Sequence, residues 1–277
     1  MGSAAALTER EVFAANRARG RIVLSVAASA GVTRRVGVRE EGSLRVRFPG
    51  APGPALEAVI VNTAGGVAGG DRFDLDLTVG VGADLIVGTV AAEKVYRSDG
   101  PDAEMSVKLG VAAGGSLSWM PQELIFFDQA RLRRSIDVEL AGNASVLIAE
   151  AVVFGRSAMG ESVETGHFFD RWRARRDGHL LFADGLRFDG AVAARLAEPA
   201  IACGNIALAT ALMVPGEEAH VAAVRAVSDQ FNGEVGVSAW NGLMLMRLCA
   251  PDGAALRHDL VRALAALGRS TPRLWLN

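Results

Sequence analysis

The chain has 277 residues, half of them hydrophobic and 22% charged, which is ample apolar material for a large core. Lys and Arg number 29 against 31 Asp and Glu, a formal net charge of −2, so no chain-wide field draws it to nucleic acid or to an anionic membrane surface. Cys203 and Cys249 are too few for a disulfide framework, no run of about 18 apolar residues offers a membrane span, and no apolar leader precedes the body, so a reducing cytoplasm is the expected setting.

Residues 1–19 read as a loose N-terminal arm. From Arg21 the pattern takes a period of two, and short strands are expected over Arg21–Ala27, Thr33–Arg39 and Ser43–Phe48, broken by Gly31, Glu41-Gly42 and the Pro49–Pro54 cluster. The apolar run Ala58–Val61 and the alternating Phe73–Val79 flank Asn62–Asp71, Asn-Thr-Ala-Gly-Gly-Val-Ala-Gly-Gly-Asp. Gly65, Gly66, Gly69 and Gly70 there need either a positive φ or close approach of another chain, and Asp71 sits at the rim of that bare backbone. The stretch reads either as a bulged turn or as a binding loop. It is no P-loop, because Asp71-Arg72 stand where Lys-Ser/Thr would, and it lacks the Gly-x-Gly-x-x-Gly of a dinucleotide site.

Further strands are expected over Asp84–Val90, Ala103–Leu109, Ser116–Met120, Leu124–Phe127, Arg131–Leu140, Ser145–Phe154, Phe168–Arg176, His179–Ala183 and Leu186–Phe188. Turn signals every 8 to 12 residues favour stacked sheets, a barrel or a coil of strands. Ile201–Val214 fits a buried strand or the start of a helix. Glu217–Gln230 and Ala254–Leu267 carry apolar residues at helical spacing, and between them Asn241-Gly242 is a hairpin turn. The expected fold is therefore mainly β, a coiled, β-helix-like stack of many short strands with about two C-terminal amphipathic helices, in one domain.

His167, His179, His220 and His258 are scattered without metal-ligand spacing, so no permanent metal site is expected. Gly155-Arg156-Ser157-Ala158-Met159 lacks the final glycine of a nucleophile elbow. Glu93, Lys94, Tyr96 (the single tyrosine) and Arg97 form a dense polar cluster, read either as a solvated turn in which Glu93 pairs Lys94 or Arg97 or as a site. Gln122 and Glu123 precede an apolar strand. Glu150 interrupts the most apolar run of the chain, where a carboxylate must be paired, protonated, metal-bound or wet, with Arg156 as the plain partner. Asp184 poses the same question more mildly. Arg131–Arg134 and Phe168–Arg176 are basic, aromatic-bearing strands, read equally as partner surfaces or as solvated faces.

Asn62–Asp71, Ala92–Ser98, Pro121–Phe127, Phe154–Glu161 and Pro272–Trp275, in that order, together resemble the urease accessory protein family UreD, also called UreH. The resemblance spans Arg21 to Trp275; threonine-alanine at Thr63-Ala64, where the family often has proline, is a mild departure, as is Leu276-Asn277 after the tryptophan. It implies a non-enzymatic maturation chaperone with a mostly β fold, one that binds apo-urease and assembles with the accessory protein UreF and the GTPase UreG, so that nickel and carbon dioxide reach the urease active site. It also implies transient passage of nickel along an internal water-filled path. Asp71, Glu150 and Asp184 are the candidate carboxylates of that path, with Glu93 and Glu123 next and Lys94, Tyr96, Arg97, Gln122, Arg156 and Glu161 as accompanying polar groups. Two readings stand beside it: an acidic-site carbohydrate lyase or hydrolase using Asp71, Glu93 and Lys94 or Tyr96, and a purely structural scaffold in which Glu150 pairs with Arg156.

Overall fold

The computed structural model describes residues 16–50, 53–156 and 159–276. Most of the expected N-terminal arm, and Ser157-Ala158 of one motif, lie outside the described residues.

The middle of the chain winds as a coil. From β4 (Leu56–Asn62) to β13 (Thr165–Arg176) it passes alternately between two facing sheets, so that β5 (Arg72–Val79), β8 (Ala103–Val111), β11 (Arg131–Leu140) and β13 stack in parallel on one side. On the other side β4, β6 (Asp84–Thr89), β9 (Ser116–Trp119) and β12 (Ser145–Phe154) stack likewise. Two short strands, β7 (Glu93–Val95) and β10 (Leu124–Phe126), pair in parallel with each other, and β10 pairs β12 of the second sheet. Parallel neighbours joined by a crossover bury both faces, which is why β12, Ser-Val-Leu-Ile-Ala-Glu-Ala-Val-Val-Phe, is apolar throughout apart from Glu150.

Further strands finish both sheets. The first sheet, A, gains β1 (Arg19–Ser29) and β2 (Val32–Gly42) at one edge and β14 (His179–Ala191) at the other; the second, B, gains β3 (Leu44–Arg47), β15 (Ala207–Val214), β16 (Glu234–Trp240) and β17 (Leu243–Ala250). All are joined antiparallel except β1, which pairs β5 in parallel. Asn241-Gly242 turns β16 into β17 with both residues at positive φ, as expected of a two-residue hairpin.

Three helices follow the coil: α1 (Val192–Ala197), α2 (Glu218–Arg225) and α3 (Gly253–Ala266). The two expected amphipathic helices are α2, shorter than its pattern because the chain turns at Ala226 into a separate 3-10 turn over Ser228–Gln230, and α3, whose start is capped by Asp252 accepting from the Ala255 amide at 2.8 Å. The short α1 was not legible.

Side-chain alternation divides the interior in two. Val146, Ile148, Val152 and Phe154 of β12 face sheet A, while Leu147, Ala149, Ala151 and Val153 face a second apolar cluster closed by Val221 and Val224 of α2 and by Leu256, Leu260 and Leu264 of α3. Glu150 belongs by parity to the first set, so its carboxylate points between the sheets. Helices α2 and α3 thus seal the outer face of sheet B. The aromatic centre of the inter-sheet core, Phe126, Phe154, Phe168 and Phe188, packs edge to face with centroids 5.1 to 5.7 Å apart.

Candidate functional site

The charged groups of the interior meet at Arg134. It occupies an inward position of β11 between Leu132 and Ile136, is 4% exposed, and forks across the gap between the sheets. Its Nε and Nη2 donate to Oδ1 and Oδ2 of Asp170 at 3.0 and 2.6 Å, and its Nη1 donates to Oε2 of Glu150 on the opposite sheet. Two indoles complete the set: Trp119 Nε1 donates to Glu150 Oε1 at 2.6 Å and Trp172 Nε1 to Asp170 Oδ2 at 3.0 Å. Two carboxylates and one guanidinium leave the cluster one negative charge in excess when both acids are ionised. Burial pushes the Glu150 carboxyl up, against the pull of Arg134 and with the push of Asp170, and the two acids raise the Arg134 guanidinium.

A cavity of about 50 Å³ adjoins this cluster, lined by Glu150, Arg134, Trp119, Gln122, Thr89 and Glu93 among apolar neighbours. It has room for roughly three water molecules. Glu93 reaches it from β7. Among the described residues its carboxylate has one hydrogen bond, the Asn62 Nδ2 donation at 3.2 Å, and that amide also donates to the Gly66 carbonyl at 3.0 Å. Burial raises the Glu93 carboxyl to about 7, partly offset by the Asn62 bond, so near neutral pH it holds its proton about half the time.

The five expected carboxylates are therefore not gathered in one row. Glu93 and Glu150 share the cavity; the other three do not line it. Asp71, 4% exposed, spends both oxygens on backbone, accepting from the Ala18 amide at 2.8 Å and the Ala68 amide at 2.7 Å, so it ties the glycine loop to the start of β1. Asp184 pairs with Arg247 at 2.6 Å near the surface. Glu123 is held by Arg257 of α3 through bonds of 2.8 and 2.5 Å; the same guanidinium donates to Gln122 Oε1 and to the Trp275 carbonyl, and Trp275 Nε1 donates to the Met120 carbonyl. That clamp accounts for the Pro121–Phe127 and Pro272–Trp275 motifs together. The expected Glu150 to Arg156 pair is corrected: Arg156 binds Glu161 at 2.5 Å and lies 4.2 Å over the Phe127 ring, on the outside. The expected pairing of Glu93 with Lys94 or Arg97 is corrected too, since Arg97 pairs with Asp99 at 3.2 Å and Glu93 turns inward.

The glycine loop packs against the polar cluster. A Cβ on Gly66, at φ +145, would lie 2.3 Å from the Tyr96 ring, and one on Gly69 would lie 1.8 Å from Ser98 Oγ. The loop is thus bare so that β7 and its flank can close over it, with Tyr96 Oη donating to the Gly65 carbonyl at 2.9 Å and its ring edge-on to Phe127.

Arg134, Asp170 and Trp172 lie in the two strands expected to be partner surfaces or solvated faces, and for them that expectation is corrected, because all three are buried; Trp119 was expected only as part of a strand. The signal was parity: Arg134 and Asp170 occupy inward positions of strands whose other inward residues are Leu132, Ile136, Phe168 and Ala174. Among the described residues no group of three or more His, Cys, Asp or Glu is arranged to hold a metal ion, and no helix is long and apolar enough to cross a membrane.

A family model described as UreD urease accessory protein matches residues 18–276. The chain belongs to that family. It is 54% identical over 278 residues to the urease accessory protein UreD of Rhodopseudomonas palustris, covering the whole of both chains. It is 53% identical to UreD of Bradyrhizobium diazoefficiens and 50% identical to UreD 3 of a second Bradyrhizobium, each over 96% of both chains. The UreD family consists of accessory proteins of urease maturation, so the chain is not itself an enzyme, and the carbohydrate lyase or hydrolase reading falls. Geometry agrees, since Asp71 of that proposed site has both oxygens occupied by amides.

Proposed function

We propose that this chain is a maturation scaffold that binds apo-urease together with UreF and the GTPase UreG, and that nickel in transit passes between its two sheets, alongside Glu93 and Glu150. One observation carries the reading: those two carboxylates, from β7 and β12, line a single interior cavity together with Arg134, Gln122 and Thr89. An acid with only a neutral amide for partner is a weak, hard oxygen donor that exchanges a divalent ion easily. Glu150, locked by Arg134, supplies field more than ligation. Relative to the row first expected, Asp71, Asp184 and Glu123 become structural.

The test is co-expression with the urease subunits, UreF and UreG, followed by co-purification, urease activity and nickel counting. With Glu93→Gln the complex forms and nickel per urease active site drops several-fold. Normal nickel content with both Glu93→Gln and Glu150→Gln refutes the route, and failure of the wild type to co-purify with urease refutes the scaffold.

A further inference from the structure

The tail motif Pro272–Trp275 and the Gln122-Glu123 pair meet at one guanidinium. Arg257 of α3 donates to the two Glu123 carboxylate oxygens at 2.8 and 2.5 Å, to Gln122 Oε1 at 3.2 Å and to the Trp275 carbonyl at 3.1 Å. What it fastens is a wall of the interior cavity. Pro121, Gln122 and Thr89 line that cavity, and the Gln122 amide is pinned to Thr89 Oγ1 at 2.8 Å. The Glu123 carbonyl accepts from the Glu93 amide at 2.9 Å, so the residue whose side chain Arg257 grips also anchors the backbone of the cavity's loosely held acid.

Beyond this wall lies a smaller void of about 10 Å³, the size of about one water molecule, bounded by Pro121, Glu123, Arg257, Leu260 and Trp275. Pro121 lines both spaces, so a single short stretch, Pro121–Glu123, separates the cavity from the clamp. The tail lies across the outside. Trp275 Nε1 donates to the Met120 carbonyl at 3.1 Å, and Pro272 sits over Gly88, where an added Cβ would stand 3.4 Å from its ring. Gly88 precedes Thr89, so the tail covers the end of β6 where that strand reaches the cavity. The clamp is also within reach of solvent: the Arg257 side chain is 27% exposed and that of Glu123 13%, against 5% for Arg134. An ion pair at that depth can be competed away by an entering cation or carboxylate, and because one guanidinium makes all four bonds, its loss frees wall and tail together.

From this arrangement we infer that the tail Pro272–Trp275 is a strap that closes the interior cavity on the side of α3, and that Arg257 is its latch. With the latch made, Pro121–Glu123 stands between the cavity and the outside. With it released, Gln122 and Glu123 move off Thr89, and bulk water, followed by a hydrated divalent cation, reaches Glu93 from this side. As a port for a cation the strap rests on the transit reading above; as a closure it rests on the clamp alone.

The test uses the full chain with isotope-labelled glutamate carboxyls and follows Glu93 by NMR, its signal assigned by its loss in Glu93→Gln. Wild-type Glu93 titrates at about 7. Arg257→Met keeps the stem, removes the fork and lowers that value by about one pH unit or more, because bulk water then reaches the carboxylate. The sign discriminates: loss of a nearby cation without opening of the wall raises a carboxyl or leaves it unmoved. Glu150 and Arg134, the other charged groups lining the cavity, are tied to each other and keep their places in both forms. If Arg257→Met unfolds by circular dichroism, Trp275→Ala, which loosens the strap with no change of charge, carries the test and lowers the value in the same direction. Arg262→Met, on the exposed side of α3, changes nothing. The inference is overturned if Glu93 keeps its wild-type value or rises in the latch and strap variants, if Arg262→Met lowers it as much, or if the wild type already titrates in the ordinary carboxylate range. Nickel counting in the co-expression assay judges the transit reading separately.

Discussion

Arg134→Met is the most informative single change. The wild-type guanidinium makes two hydrogen bonds to Asp170 and one to Glu150, all with atoms that have almost no access to water. Methionine fills most of the stem volume and removes the charge, which leaves two carboxylates in an apolar gap with only indole donors. Orphaning a buried ion-pair partner typically costs about 3–5 kcal/mol, and here one cation serves two acids, so the upper half of that range is expected. That is a large part of the roughly 5–15 kcal/mol that holds a domain folded. The assay is urea unfolding followed by tryptophan emission, to which Trp119 and Trp172 report from within the cluster. The loss shrinks as pH falls, because the stranded acids then take protons. Arg134→Met combined with Glu150→Gln and Asp170→Asn recovers most of it, since the amides still accept from both indoles and no charge is left buried. A loss under about 1 kcal/mol for the single change, or no recovery in the triple, refutes the view that the network matters through uncompensated charge.

Other outcomes follow from the same geometry. Glu93 has a folded pKa of about 7, raised above its ordinary value, so the folded chain holds that proton more tightly; its stability contribution is full at acid pH and is lost as pH rises toward and past 7. Glu93→Gln therefore melts like wild type at about pH 4 and is more stable at about pH 8, by up to about 3 kcal/mol before solvent screening reduces it; a pH-independent difference counts against the assignment. Asp259, 1% exposed on α3, accepts from the Asn232 and Gly233 amides at 2.8 and 2.7 Å, so Asp259→Ala strands two donors and costs about 2–3 kcal/mol by chemical denaturation, with hydrogen exchange rising first at the start of β16. Gly66→Ala forces a Cβ into Tyr96 and a φ that alanine avoids; it lowers stability by about 2–4 kcal/mol, and Tyr96→Ala beside it relieves the steric share, as the double cycle measures.

Much of the architecture could be read from pattern alone because a coil of strands writes itself locally. Alternation marked nearly every long strand, and Asn241-Gly242 fixed the hairpin. Where the pattern failed, the cause was local as well. Strand β7 has three residues, too few to show a period, and β14 looked like two strands because Gly185 interrupts it. The helix α1 carries only two buried residues, Val192 and Leu196, over six positions. The interior cluster was half legible. Glu150 announced itself by standing in an apolar run, yet its partner lies 16 residues away on the opposite sheet, and Asp170 lies 36 residues beyond that partner. Pairing across a coil depends on how long each circuit is, and spacing along the chain does not reveal that. Arg156 was the nearest cation in sequence and the wrong one in space.

The two interior acids differ in what holds them, and on the proposed route that difference would separate support from transit. Glu150 is bound to a guanidinium and an indole, so moving its carboxylate breaks two charge-assisted bonds at once. Glu93 gives up a single amide bond of 3.2 Å, and its proton is already half released at neutral pH. A cation entering the gap thus meets one acid that can respond and one that cannot. On the route proposed above, a divalent ion in this cavity would meet these two acids alone among its carboxylates, too few ligands to retain it.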